Sequence, residues 1–485
     1  MPIRTTRNLL DRRRTKIVAT LGPASSDPQT LGELARAGVD VFRLNLSHGD
    51  PSWHEGVFRE IRKLAEGEGR PIGILGDLPG PKIRVGSLQG GSMVLETGAE
   101  VVVTTRDVEG GAGIIPTTYR DLALDVSPGD TMLLDDGNLE LSVLESGDTE
   151  VTCRVVVGGT LRDRKGINLP GVKVSAPALT AEDREWARFA LDLGIDFLAL
   201  SFVRRASDLR ALRDLMIQAE SPALLIAKIE RMEALDVIEG ILADADGIMV
   251  ARGDLGAELP PEKVPQIQGQ LVAMARSWEK PVIVATQMLE SMTRNPRPTR
   301  AEVMDVSHAV TQGTDAVMLS GETAVGRHPI KAARMMDRVI RETEGFLWER
   351  RAASPSLIPD PAKLPPLDLE DAVSRATALL TRDLEVRCIV VFTGSGWTAG
   401  KVCAARPQAP ILAATPDQEA QRRTSLFWGV EPVAVPSLDA GPNHDQTRRI
   451  ALDSGLAEKG DYVLEVRGFS SVPERNVPTL SVWKL

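Results

Sequence analysis

The segment LLIAKIE at 224–230 ends in two charged residues of opposite sign, Lys228 and Glu230. If the segment is a β-strand, both side chains lie on one face of it, because side chains alternate along a strand. A further carboxylate, Asp254, follows the next apolar segment. Carboxylate oxygens are the ligands that Mg²⁺ prefers, and Mg²⁺ usually takes only one or two of them from a protein. The pattern predicts that Glu230 and Asp254 bind Mg²⁺ beside an ammonium group; a structural ion pair at a strand end is the alternative.

Polar residues also follow most of the other apolar segments. The tetrapeptide GDLG at 253–256 offers backbone N–H groups suited to a carboxylate or phosphate, although taken alone it fits an ordinary tight turn better. Arg43 and Arg84 are permanently charged and fork-shaped, which suits phosphate binding unless they form a solvated pair at the rim. For His48, a plain loop position and a ligand contact both remain open. The other candidates are Asn45, Ser47, Asp77, Lys82, Ser201, Arg204, Arg205, Thr286, Gln287, Ser320 and Glu322.

Eight short apolar segments position these residues. They are rich in Val, Ile and Leu without polar alternation, which is typical of parallel strands buried on both faces. Helical patterns separate them, and Thr180 and Thr299 begin two of these with a capping box. Eight strand–helix units favour a closed (β/α)₈ barrel over an open sheet, and in such a barrel the chemistry lies where strands end. The segments are 17–21, 41–46, 72–78, 197–202, 224–229, 247–250, 282–285 and 316–319.

The spacing of the segments predicts three domains. The interval between the third and fourth segments is far longer than one crossover needs, and its hairpin signals predict a small β domain at 86–175, placed as a lid over the barrel. The barrel then comprises 1–85 and 176–350. A proline-rich stretch predicts a linker at 351–367, and alternating strand and helix patterns predict a separate α/β domain at 368–485.

Composition excludes several classes of protein. The 485 residues carry 57 Lys and Arg against 67 Asp and Glu, a net charge of −10, which argues against a general binder of nucleic acids or anionic membranes. Three scattered cysteines and five histidines leave little prospect of a disulfide framework or a zinc centre. The basic first residues lack the apolar stretch of a signal peptide, and no window reaches the roughly 18 apolar residues of a membrane span. We expect a cytoplasmic protein.

In several sequence motifs the chain resembles the pyruvate kinase family. The matching stretches are TKIVATLGPAS at 15–25, RLNLSHG at 43–49, GPKIR at 80–84, KIE at 228–230, MVARGDLGAE at 249–258, ATQMLESM at 285–292, PRPTRAE at 296–302 and LSGETA at 319–324. They follow the barrel in order, and the predicted lid and C-terminal domain fall where that family has its lid and regulatory domains. The resemblance implies transfer of a phosphoryl group from phosphoenolpyruvate to ADP in glycolysis, with Mg²⁺ or, in its place, Mn²⁺, by a homotetramer.

The resemblance also implies roles for the polar residues at the strand ends. Lys228 and Arg43 would neutralise the migrating phosphoryl group, which needs positioning and cations rather than covalent help. The Mg²⁺ ligands would be Glu230 and Asp254. The pyruvate carboxylate would contact Thr286 and the backbone of Ala251, Arg252, Gly253 and Asp254. A water led by Thr286, Ser320 and Glu322 would protonate the enolate carbon.

Two further sites follow from the resemblance. The nucleotide and its own metal ion would contact Pro23, His48, Arg84, Asp136 and Arg205. In the C-terminal domain, TGSGWT at 393–398 follows an apolar segment and opens a helical pattern, so that hydroxyl and N–H groups could bind a phosphate. The residues concerned are Thr393, Ser395, Gly396 and Thr398, and the ligand would be a sugar phosphate or a nucleoside monophosphate. An ordinary turn with a Thr cap is the alternative.

One departure from the family pattern bears on K⁺. Many pyruvate kinases bind K⁺ among oxygens that match Asn45, Ser47, Asp77 and the carbonyl of Leu78, and those enzymes have Glu where this chain has Lys82. An ammonium there can supply the positive charge permanently, which predicts that K⁺ is not required. The alternative is that Lys82 points to solvent and K⁺ still binds. Arg205 likewise replaces the more usual Lys.

Two other functions compete with this hypothesis. A Mg²⁺-dependent aldolase or lyase on a related barrel would use the same metal to stabilise an enolate, but it would need neither a nucleotide-facing lid nor Arg84. A non-catalytic scaffold would make the strand-end charges dispensable, which their clustering on one face of the barrel argues against.

Overall fold

Eight parallel strands form a closed barrel in the computed structural model, which describes residues 12–135, 137–353, 367–438, 444–470, 474 and 476–485. Even Lys16 in the first strand is buried, which explains why these strands show little polar alternation. The predicted barrel is therefore confirmed. Its strands are Lys16–Thr20, Val41–Asn45, Gly73–Asp77, Phe197–Leu200, Leu224–Ile229, Gly247–Ala251, Val282–Ala285 and Ala316–Leu319.

Helices surround the barrel and connect its strands. The predicted capping boxes at Thr180 and Thr299 are both formed. The last barrel helix runs to Ala353, so the predicted linker at 351–367 begins within a helix, and its residues 354–366 lie outside the described part of the chain. The helices are Pro28–Arg36, Pro51–Glu68, Ala181–Leu193, Ala206–Gln218, Met232–Asp236, Ile238–Asp244, Arg252–Glu258, Val264–Ser277, Arg300–Gln312, Gly321–Ala324 and Pro329–Ala353, with 3₁₀ turns at Pro261–Lys263 and Glu290–Thr293.

A β-rich unit with its own hydrophobic core lies between the third and fourth barrel strands. It has a six-stranded sheet and a two-stranded sheet, as the hairpin signals predicted. Its strands are Ser92–Leu95, Glu100–Thr104, Ile114–Pro116, Thr131–Leu134, Leu139–Ser146, Glu150–Val157, Gly159–Arg162 and Ile167–Asn168, with short helices at Gln89–Gly91 and Leu122–Asp125. We call this unit the lid.

The C-terminal domain is a five-stranded sheet flanked by helices. Four strands are parallel and the last pairs antiparallel at the edge. The strands are Cys388–Phe392, Ile411–Thr415, Val430–Ala434, Tyr462–Arg467 and Thr479–Lys484; the helices are Leu369–Asp383, Trp397–Ala404, Gln418–Thr424 and His444–Asp453. Among the helices described in all three units, none is long and apolar enough to cross a membrane.

The C-terminal domain closes the amino-terminal end of the barrel. Leu426 is fully buried in the same cluster as Phe197 and other side chains that fill the barrel interior. Beside it, Arg422 pairs with Asp196 at 2.8 Å, immediately before the fourth strand. Gly73 allows this approach, because a Cβ there would lie 2.7 Å from the hydroxyl of Ser425. With this end filled, the carboxyl-terminal end of the barrel is left open for a site.

We predict that Leu426→Ala lowers the melting temperature of the protein, since removing a buried leucine side chain typically costs about 2–5 kcal/mol. Leu452→Ala is the control, because Leu452 is in the same domain and is 38% exposed. Differential scanning calorimetry of the two variants makes the comparison. Equal melting temperatures would contradict the packing of Leu426 inside the barrel.

Candidate active site

A cavity of about 190 Å³ lies at the carboxyl-terminal end of the barrel. Its walls come from the ends of most barrel strands, as expected when parallel strands meet at one edge. Most of the residues predicted to take part in catalysis are brought together here. So are the residues that match the K⁺ ligands of many pyruvate kinases, which we call the K⁺ region. Those that line it are Arg43, Asn45, Ser47, His48, Asp77, Leu78, Lys82, Arg84, Lys228, Glu230, Ala251, Asp254, Thr286 and Ser320.

Lys228 is at the centre of an ion-pair network on the cavity floor. Its Nζ lies 3.2 Å from Asp77 Oδ1 and 2.9 Å from Glu230 Oε1, and it donates to the hydroxyl of Ser201 at 2.6 Å. Arg43 pairs with the other oxygen of Asp77, at 2.6 Å. These side chains come from the carboxyl-terminal ends of the second to fifth strands or from the residue directly after them. Ser201, which sequence reasoning placed at a strand end without a role, completes the contacts of the ammonium.

The network keeps its central groups charged. Burial lowers the pKa of Lys228, but the carboxylates of Asp77 and Glu230 outweigh burial and raise it above the ordinary value. Burial raises the pKa of Asp77, and the cations of Arg43 and Lys228 outweigh it, so the net shift is downward. Lys228 is therefore a cation across the physiological pH range, facing a cavity large enough for a small anion.

Glu230 and Asp254 form a pair of carboxylates beside this cation. Burial raises the pKa of Glu230, Lys228 opposes that rise, and the negative charge of Asp254 adds to it. Glu230 Oε2 also accepts from the backbone N–H of Phe202 at 2.8 Å. Within the described residues no group of three or more His, Cys, Asp or Glu is arranged as a metal centre. Two repelling carboxylates nevertheless fit Mg²⁺, which takes its remaining oxygens from water and substrate.

The segment after the sixth strand brings a backbone N–H group towards Thr286. Gly253 N donates to the Thr286 hydroxyl at 2.8 Å, while Ala251 and Asp254 line the cavity. The Arg252 side chain is not part of the cavity lining: it is buried and pairs with Asp305. The backbone predicted to bind a carboxylate thus lies beside the cavity, with the Gly253 N–H donating to Thr286, and the Arg252 side chain turns away to Asp305.

Ser320 and Glu322 differ in where their side chains lie. Ser320 is part of the cavity lining, and its buried hydroxyl has no hydrogen-bond partner among the described residues. Glu322 is fully buried and accepts from the backbone N–H groups of Ser320 and Leu289, at 2.7 and 2.9 Å. Glu322 thus supports the loops after strands seven and eight, and the geometry does not bring it to the cavity as sequence reasoning expected.

The residues predicted for the nucleotide are only partly brought together. Arg84 and His48 line the cavity, and burial, followed by the cations of Arg84 and Lys82, lowers the pKa of His48, so that it is neutral near pH 7. Pro23 and Arg205 are exposed and lie outside the cavity lining. Asp136 lies outside the residues that the structure describes.

Charged side chains, buried or half-buried, attach the lid to the barrel beside the cavity. Arg231 donates to the carbonyl of Val172 in the returning lid segment at 2.7 Å and pairs with Glu258 at 2.6 Å. Arg204 donates to the carbonyl of Ala176 at 2.7 Å. Burial raises the pKa of Glu258 to about 7, against the opposing effect of Arg231. Sequence reasoning missed Arg231 and Glu258; the only signal was a charged residue directly after KIE.

The loop at 393–398 in the C-terminal domain is compact. The Thr393 hydroxyl accepts from Gly396 N at 3.0 Å, and the Ser395 hydroxyl accepts from Trp397 N at 3.4 Å. Gly396 has a φ of 93°, which a residue with a side chain would rarely adopt. Thr398 is buried. The hydroxyls of Thr393 and Ser395 therefore cap their own turn, which is the alternative that the sequence left open.

Known proteins share this architecture over nearly the whole chain. The family models for the pyruvate kinase barrel domain and the pyruvate kinase alpha/beta domain match residues 12–333 and 371–482. A pyruvate kinase of Agrobacterium vitis is 45% identical over 94% of this chain and 95% of its own length. Pyruvate kinase 2 of Synechocystis is 43% identical over 94% of this chain and 76% of its own length. The crystal structure of a pyruvate kinase from Cryptosporidium parvum has a TM-score of 0.88 at 34% identity, covering 98% of this chain and 97% of that one. The chain therefore belongs to the pyruvate kinase family of phosphotransferases.

Proposed function

We propose that this protein transfers the phosphoryl group of phosphoenolpyruvate to ADP, giving pyruvate and ATP. The observation that carries the proposal is the buried Lys228 ammonium, held between Asp77 and Glu230 on the floor of the cavity. Family resemblance further supports a glycolytic role in the cytoplasm and a homotetrameric assembly.

In this proposal Lys228 and Arg43 neutralise the phosphoryl group as it moves. Phosphoryl transfer gains most from cations held in place before the reaction, because charge spreads over the phosphoryl oxygens in the transition state. Asp77 holds both cations through its two oxygens. It thereby fixes the distance between them.

Glu230 and Asp254 hold Mg²⁺, with Mn²⁺ as an alternative because it also favours oxygen ligands. A bound divalent cation supplies positive charge to the phosphoryl and enolate oxygens. Thr286 and the backbone at 251–254 orient the carboxylate of the substrate. The hydroxyls of Thr286 and Ser320 then hold a water that gives a proton to the enolate carbon, and the hydroxide that remains takes a proton from solvent.

The nucleotide lies between Arg84 and the lid. Arg84 lines the cavity on the side from which the lid begins, and its fork-shaped cation suits a phosphate. Closure of the lid excludes water that would otherwise accept the phosphoryl group. Asp136, Arg205 and Pro23 stay predicted contacts of the nucleotide, reached only if the lid or the neighbouring loops move.

The test is a coupled assay for pyruvate with phosphoenolpyruvate, ADP and Mg²⁺. We expect turnover by the unmodified protein and a loss of about 10³-fold or more in kcat for Lys228→Met, because a cation on a transferring phosphoryl group contributes that much. Lys63→Met is the control, since Lys63 is an exposed lysine on an outer helix. A folded protein that forms no pyruvate would refute the proposal. A Lys228→Met variant that keeps a tenth of the normal turnover would show that Lys228 has no catalytic role.

We also propose that catalysis does not require K⁺. Lys82 lines the cavity together with Asn45, Ser47, Asp77 and Leu78, the residues of the K⁺ region. Its charge contributes to the lowered pKa of His48. A cation at this position repels a second cation close by. The exposure of Lys82 is the feature that favours the alternative, in which K⁺ still binds.

Rates measured in tetramethylammonium buffer with Mg²⁺ will show little change when K⁺ is added to the unmodified enzyme. Lys82→Glu replaces the permanent cation by a carboxylate, and we expect this variant to depend on K⁺. Lys459→Glu, at an exposed position in the C-terminal domain, makes the same charge change away from the cavity and should stay K⁺-independent. Strong activation of the unmodified enzyme by K⁺ would rule the proposal out.

A phosphorylated effector is the last part of the proposal. It would bind at the loop formed by Thr393, Ser395, Gly396 and Thr398, where the backbone of the Trp397–Ala404 helix begins. Arg423 donates to the carbonyl of Ser395 at 3.4 Å, which places a cation next to this loop.

Phosphoenolpyruvate saturation curves recorded with a panel of sugar phosphates and nucleoside monophosphates test this site. One of these compounds should lower the midpoint about fivefold or more, a typical allosteric coupling. Ser395→Asp should abolish the response by repelling the phosphate, whereas Ser277→Asp, at an exposed barrel position, should keep it. A midpoint that no compound shifts would reject control through this loop.

A further inference from the structure

The end of the seventh barrel strand has a backbone conformation that its residue types disfavour. Thr286 has a φ of 66° and Gln287 a φ of 54°. A β-branched residue is rarely found in this left-handed region, and it persists only where the surrounding structure holds it. The contacts that hold the Thr286 peptide therefore decide where its hydroxyl lies.

Arg252 provides these contacts from the end of the sixth strand. Its Nε donates to the carbonyl of Ala285 at 3.2 Å, and its Nη2 donates to the carbonyl of Thr286 at 2.5 Å. Its Nη1 donates to both carboxylate oxygens of Asp305, each at 2.6 Å. One rigid, buried guanidinium thus joins the strained strand end to the Arg300–Gln312 helix.

Contacts at the same strand end also fix the hydroxyl of Thr286. This hydroxyl donates to the carbonyl of Ala285 at 2.7 Å and accepts from the N–H of Gly253 at 2.8 Å. Gly253 is the neighbour of Arg252 in the chain, and the Ala285 carbonyl accepts from Arg252 Nε. A shift of Arg252 therefore moves both hydrogen-bond partners of the Thr286 hydroxyl. The Arg252 side chain itself is absent from the cavity lining, whereas Thr286 belongs to it.

We infer that Arg252 is a positioning residue, which holds the strained Thr286 peptide so that the Thr286 hydroxyl places water against the methyl carbon of bound pyruvate. The inference rests on the proposed function and extends it to a side chain that does not contact substrate. The step it serves is proton exchange at that carbon. The methyl C–H bond breaks, its proton passes to the water, the electron pair enters the enolate, and a solvent proton then forms the new C–H bond.

A purely structural role for Arg252 is the competing explanation, and Arg62 provides the matched control. Arg62 also donates to two backbone carbonyls, those of Ile72 and Gly194 at 3.1 and 2.9 Å, and pairs with a carboxylate, Asp196, at 2.9 Å. It does so at the amino-terminal end of the barrel, away from the cavity. Replacing either arginine by lysine removes the planar fork and keeps the charge.

The experiment follows deuterium incorporation into the methyl group of pyruvate in D₂O, by NMR, with Mg²⁺ and the full-length enzyme. We expect Arg252→Lys to lower the exchange rate about 10²-fold, the usual effect of a small misplacement at a reacting centre. The KM for phosphoenolpyruvate should change far less. Arg62→Lys should destabilise the protein to a similar extent, measured by its melting temperature, and leave exchange unchanged. Exchange by Arg252→Lys within twofold of the Arg62→Lys rate would overturn the inference.

Asp305→Asn keeps the inference testable if Arg252→Lys does not fold. It retains an acceptor oxygen for Arg252 and removes the charge, so exchange should fall about tenfold, the effect of weakening one charged hydrogen bond. Normal exchange by this variant would overturn the inference. An unmodified enzyme that forms no pyruvate from phosphoenolpyruvate and ADP would instead refute the proposed function, which separates the two failures.

Discussion

The buried ammonium of Lys228 is the constraint on which the arrangement of the site depends. A charge removed from water without a partner costs several kcal/mol, and breaking a buried pair leaves the other charge uncompensated. Asp77 and Glu230 meet this requirement from the third and fifth strands. The barrel register brings these groups close, since Asp77 lies opposite Ala199 on the fourth strand, and the next residue, Leu200, lies opposite Ala227, the neighbour of Lys228 on the fifth. The closed sheet and the charge network thus depend on each other.

The two ends of the barrel use the same ionic chemistry for different purposes. At the amino-terminal end, Asp196 and Asp315 accept from the backbone N–H groups that start neighbouring strands and pair with Arg422 and Arg406 of the C-terminal domain. All of these groups have partners within the chain. At the carboxyl-terminal end, cations such as Lys228 line an open cavity. Stability and chemistry are therefore concentrated at opposite ends of one sheet.

Several charged residues next to the cavity hold backbone and do not face the cavity. Arg252 binds the end of the seventh strand, Glu322 binds the loops after strands seven and eight, and Arg231 binds the lid segment at Val172. Each of these charged groups is buried, and a buried charge is costly unless it has ion-pair or hydrogen-bond partners. In meeting that need, these side chains tie the backbone of segments next to the cavity to buried charged groups.

The sequence by itself determined the barrel, the β-rich lid and the C-terminal α/β domain, because apolar runs, capping boxes and turn residues are local signals. Strand alternation also placed Lys228 and Glu230 on one face. Only the tertiary structure decided which way the side chains after the strand ends turn. Arg252 turns to Asp305, Glu322 to backbone N–H groups, and Arg205 to solvent. Asp305, the partner of Arg252, and Leu289, one partner of Glu322, lie 53 and 33 residues away along the chain, and no local pattern encodes their proximity in space.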